Sequence, residues 1–121
     1  MKKISIIACF FIILAIWACS RDMAEPEDSN CNEVVTYEDD IRLIINNNCA
    51  YSGCHDGTGA APGNYTFYSG LRSTFENSDE FVNRVISLKD MPPDYATGPI
   101  ALSVDEFNLV TCWTETGFLE N

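Results

Sequence analysis

The sequence predicts a small all-α domain, and three features carry that expectation. A capped helix opens after Thr36, a second and better-specified one opens after Ser103, and the stretches between are rich in the glycines and prolines of turns. The folded domain is expected over residues 31–121, preceded by a leader, 1–18, and a tether, 19–30. No internal repeat is present.

Met1-Lys2-Lys3 is a basic start, and Ile4 to Trp17 is an apolar run broken only by Ser5. The run is short for a membrane span and reads as a secretory signal. It ends in Ile16-Trp17-Ala18-Cys19, which resembles the lipobox of bacterial lipoproteins, although a tryptophan in the middle is atypical. That resemblance implies cleavage before Cys19 and a diacylglyceride on its sulfur, anchoring the protein to a membrane of a bacterial cell envelope, on its periplasmic or outer-membrane side. The alternative is ordinary secretion, with Cys19 discarded. Ser20 to Asn30 carries Arg21, Asp22, Glu25, Pro26, Glu27 and Asp28 with almost nothing apolar, and reads as a disordered acidic spacer.

The formal charge of the chain is −11, and removal of the leader takes two lysines and no acid. Such a domain should not hold nucleic acid or anionic lipid by charge; a basic partner surface suits it. Four cysteines lie beyond Cys19, in keeping with an exported chain in which disulfides persist.

Thr36 is a good N-cap, with Asp39 at the capping-box position and three acids, Glu38 to Asp40, against the positive helix end. Tyr37, Ile41, Ile44, Ile45 and Asn48 keep helical spacing, which predicts a helix from Tyr37 to about Asn47. Residues 53–63, with four glycines and Pro62, read as a loop. Tyr65, Phe67, Tyr68, Leu71 and Phe75 suit either a cofactor wall or plain core filling. Ser78 is expected to cap a short helix carrying Phe81, Val82, Val85 and Ile86. In Lys89-Asp90-Met91-Pro92-Pro93-Asp94 the prolines exclude a helix and hold Met91 on a stiff loop. In the last helix, Ser103 and Glu106 form the capping box, Leu102 and Phe107 are placed for a staple, Leu109, Val110 and Trp113 continue the apolar face, and Gly117 is the stop.

The end of the first helix delivers Cys49-Ala50-Tyr51-Ser52-Gly53-Cys54-His55. Cys-x-x-Cys-His is the attachment motif of a c-type haem, in which thiols become thioethers and the next-door histidine binds iron. Here the adjacency of Cys54 and His55 is kept, while four residues rather than two separate the cysteines. Gly53 allows the sharper turn this requires.

Together these residues resemble a class I cytochrome c domain over about Val34 to Phe118: a first helix, the attachment motif, a loop region, a methionine loop and a final helix across the first. Domains of this kind with the same wide cysteine spacing occur among secreted bacterial proteins. The resemblance implies one covalent haem c, with Cys49 and Cys54 as thioether attachments, His55 as proximal iron ligand and Met91 as distal ligand. His55 is the sole histidine and Met91 the sole methionine after the tether, which agrees with histidine–methionine ligation; Lys89 could substitute for Met91 but lacks its proline-stiffened setting. With both axial positions filled, iron has no place for substrate, so the implied role is single-electron transfer with a redox partner protein, not catalysis. With Cys19, Cys49 and Cys54 so assigned, Cys31 and Cys112 remain, and crossing of the first and last helices implies that they pair. Otherwise Cys112 is a buried apolar residue and Cys31 a free thiol.

Two other readings stay open at this level. One is a haem-free exported lipoprotein with a Cys49–Cys54 disulfide and a structural or interaction role. The other is a zinc module using Cys49, Cys54 and His55 with Cys31 or Cys112. No GxSxG, phosphate loop or HExxH motif points to an enzyme. For the anchor, Cys19→Ser should release the protein from membranes or block its processing, as read by fractionation; persistence in the membrane after normal cleavage would assign the anchor elsewhere.

Overall fold

A computed structural model describes residues 31–59 and 61–121. The expected leader, tether and lipidation at Cys19 fall on residues 1–30, outside the described residues. Within them the chain is helical, and no strand is formed among the described residues beyond an isolated bridge between Asp56 and Asn64.

Helix α1 begins as a π-wound turn, Tyr37–Ile41, and continues as the α-helical Arg42–Asn48. Thr36 caps it as expected, its hydroxyl accepting from the Asp39 amide at 3.4 Å. The reciprocal carboxylate is that of Asp40, not Asp39: it accepts from the Thr36 amide at 2.9 Å. The wider π winding advances the residue that reaches back by one position. The chain's own tail completes this end, because the Tyr37 amide donates to the Leu119 carbonyl at 2.8 Å and the Glu38 amide to that of Glu120 at 3.1 Å. Both are donors a helix start would otherwise leave unpaired.

Helix α2, Tyr68–Asn77, runs through the aromatic segment, which sequence reading did not assign to a helix. Its fully buried residue is Leu71, and Tyr68 and Phe75, at helical spacing from it, pack partly buried against the core. Helix α3 joins Glu80–Val82 to a second π-wound turn, Asn83–Ser87. Its N-cap is Asp79, one residue beyond the expected Ser78, whose hydroxyl still accepts from the Glu80 amide at 3.4 Å. Phe81 and Val85 are buried, with Val82 and Ile86 packed against the core.

Helix α4, Val104–Glu115, carries the complete capping box expected of Ser103 and Glu106. Gly117, at φ +90°, ends it in the left-handed region open to glycine. The core lies between α4 and α1, centred on the fully buried Trp113, with Tyr37, Ile41, Ile45 and Val110 around it. Phe75, Phe81 and Phe118 set their rings edge-on to the Trp113 indole at 5.6, 6.3 and 5.1 Å. Cys31 and Cys112 lie at disulfide distance, with α-carbons 5.3 Å apart, so the expected pairing is seen in space. Closing a loop of 81 residues is worth about 4–5 kcal/mol in the chain-entropy description.

The other tie between the outer helices is polar. Asn48, buried at the end of α1, donates to the Ile44 carbonyl and to Glu106, each at 3.0 Å. Glu106 thus serves its own helix cap and the neighbouring helix together. Hydrogen bonds from Ser103, amide first and then hydroxyl, and from Asn48 hold its carboxyl below the usual glutamate range, against a smaller opposing effect of burial. A group depressed in the folded state contributes stability that is complete above its unfolded value and is lost as pH falls through the folded one. Glu106→Gln should therefore destabilise the domain by about 1–2 kcal/mol at neutral pH. The gap to the wild type in denaturant midpoint should close as pH drops below about 4.

Candidate functional site

The attachment loop begins where α1 is halted. The Cys49 and Ala50 amides both donate to the Ile45 carbonyl at 2.8 Å, which ends the regular winding and turns Cys49 toward the core. The four residues after it fold into a turn, with the Cys54 amide donating to Tyr51 O at 3.0 Å and Gly53 at φ +87°. The His55 amide then donates back to the Cys49 carbonyl at 3.0 Å. The wide cysteine spacing is absorbed by this closed loop, so Cys49, Cys54 and His55 stay on one short frame.

Cys49 and Cys54 are both free thiols and partly buried. Burial first, then the nearby Cys54 and Glu106, push the Cys49 thiol up to about 12. It is a protonated, poorly nucleophilic sulfur in the haem-free chain.

The His55 ring is held from two directions. Its Nδ1 lies 2.6 Å from the Pro62 carbonyl oxygen. A carbonyl can only accept, so Nδ1 carries a hydrogen; in the neutral ring this is the tautomer whose lone pair is on Nε2. On one face the ring stacks on Tyr65, with centroids 4.2 Å apart and planes within 6°. Tyr65 is itself buried, which pushes its phenol up. The Tyr65 amide donates to the His55 carbonyl at 2.7 Å, closing the loop from 56 to 64. Orienting a ring by its second nitrogen is how proteins prepare imidazole to bind a metal.

Met91 lies on the segment between α3 and α4, joined to Pro92 by a cis peptide, and is partly buried against the same core cluster as Cys49. It is therefore packed and not displayed to solvent, as its place ahead of two prolines suggests it would be. Lys89, its expected substitute, places its amine 4.3 Å from the centre of the Phe107 ring. Cys31 and Cys112 sit apart from this loop, joined to each other.

Three contributors were not evident in sequence. Pro62 acts through a backbone carbonyl, which no side-chain motif marks. Tyr65 was one of several aromatics with equal claims. Tyr51 has a buried hydroxyl that makes no hydrogen bond.

The arrangement places two free thiols and an imidazole oriented through its Nδ1 on one short loop. Among the described residues, no three histidine, cysteine, aspartate or glutamate side chains gather as a metal ion alone would need. In the haem-free chain, iodoacetamide at pH 8 should modify Cys49 at least about 100-fold more slowly in the folded protein than in denaturant, by peptide mass mapping. Equal rates would remove the burial assigned to this sulfur. Comparison with protein-family models, curated proteins and solved structures finds no match for this chain.

Proposed function

We propose that this protein is a monohaem c-type cytochrome, held to a bacterial envelope membrane by lipid on Cys19, that passes single electrons to and from a partner protein. The observation that carries the reading is the His55 Nδ1–Pro62 hydrogen bond, which orients the ring of the sole histidine on the same short loop as two free thiols. Cys49 and Cys54 would hold haem c as thioethers, and His55 and Met91 would bind its iron. When bound, the haem would supply a one-electron couple, whose potential histidine and methionine ligands together would raise.

The residues of the chain supply the rest. The closed loop from Cys49 to His55 fixes the relation between the attachment sulfurs and the imidazole. Tyr65 and Pro62 hold the plane and orientation of the imidazole. The surface supports a basic partner: Arg42, Arg72 and Arg84 are each already paired to a carboxylate four residues away, so the acidic excess of the chain is unneutralised.

The zinc reading loses ground on one observation, since Cys31 and Cys112 pair and neither is left as a fourth ligand. The haem-free reading requires Cys49 and Cys54 to join. Protein made in a host with cytochrome c maturation should retain one haem after acid–acetone extraction, shown by intact mass and a pyridine haemochrome spectrum. Met91→Ala should keep that haem, lose the sulfur-to-iron absorption band and lower the potential. A colourless protein with a Cys49–Cys54 disulfide would overturn the cytochrome, and an unchanged band and potential in Met91→Ala would overturn the methionine assignment.

A further inference from the structure

We propose that Tyr51 is a positioning residue that latches the Met91-bearing segment onto the attachment loop, with its ring seated on Gly98; its consequence at iron rests on the cytochrome reading, but the contact itself does not. Tyr51 lies between the two cysteines, within the stretch that makes their spacing wide. A β-carbon built on Gly98 would stand 2.7 Å from Tyr51 Cζ and 3.0 Å from each of Cε1 and Cε2. The phenol end of the ring thus faces the Gly98 α-carbon almost symmetrically, in space that a side chain at 98 would fill. The backbone at Gly98 is not in the left-handed region, so it is this room, and not conformational freedom, that calls for glycine.

The hydroxyl end of the same ring is out of contact with water, beside the Cys54 sulfur and the Gly98 amide. Gly98 and Met91 belong to one connection between α3 and α4, internally turned where the Ala96 amide donates to Pro93 O at 3.0 Å. Swinging that connection away from the loop of His55 would uncover the ring and open the buried space around its hydroxyl. Because the hydroxyl makes no hydrogen bond, the ring carries the latch. Holding a segment in place in this way sets how readily an added ligand can displace the one that segment supplies.

The test uses the full chain matured with haem, as wild type and as Tyr51→Phe, Tyr51→Ala, Gly98→Ala and the double variant Tyr51→Ala/Gly98→Ala. Two readouts are taken: the affinity of added imidazole for ferric iron, and the rate of chymotrypsin cleavage after Tyr95, which is 83% exposed on the same connection. Tyr51→Ala and Gly98→Ala should each bind imidazole about tenfold more tightly and be cut after Tyr95 about tenfold faster. Tyr51→Phe should stay within about threefold of wild type, and Gly98→Ala should add nothing in the Tyr51→Ala background, where no ring remains to collide with. Wild-type behaviour of both single alanine variants, or additive effects in the double variant, would overturn the latch. A wild-type chain that takes up no haem would overturn the cytochrome reading alone, and the cleavage rates of the haem-free chains would then decide the latch by the same criteria.

Discussion

The closure of the last helix on the first, around Trp113, is the constraint on which the rest of the domain depends. The indole is fully buried, and its Nε1–H donates to the Leu119 carbonyl at 2.8 Å. That bond turns the tail back after Gly117, and the same carbonyl accepts from the Tyr37 amide. One tail therefore satisfies a buried indole and the open start of α1. Phe118, at φ +61° behind Gly117, stacks on Phe75 at 3.8 Å and brings α2 into the cluster. A chain this small has little apolar surface to bury, and concentrating it on one large aromatic is an economical use of it.

The site inherits its geometry from this closure. The end of α1 is set by Asn48, whose amide reaches Glu106 at the start of α4, so the place where Cys49 leaves the helix is determined by the helix crossing. From there the loop is short-range: successive amide–carbonyl bonds bring His55 back to Cys49, and the 56–64 loop brings Pro62 and Tyr65 to the imidazole. The two levels are distinct in kind. Packing decides where the loop starts, and local hydrogen bonds decide its shape.

The acidic surface has little part in this packing. Arg42 and Arg72 pair with Glu38 and Glu76 at helical spacing on exposed faces, where each pair contributes a few tenths of a kcal/mol. Arg84 also reaches Asp90, six residues on and next to Met91, at 2.7 Å. Lys89 is held differently, at φ +53° with its amine over the Phe107 ring.

By itself the sequence determined the all-α class, the capped last helix, the start of the first and the adjacency of Cys54 and His55, because caps, periodicity and neighbouring residues act over a few positions of chain. It did not locate α2, whose inward face of Tyr68, Leu71 and Phe75 lies in a segment that glycine and loop residues precede, nor the shift from Asp39 to Asp40 at Thr36, which follows from the π winding. Only the tertiary structure decided that Cys31 meets Cys112, that Asn48 spends its amide on Glu106, that a proline carbonyl orients the His55 ring, and that Tyr51 rests on Gly98. These are contacts between residues distant in sequence or made through backbone atoms, and neither kind leaves a pattern in the order of side chains.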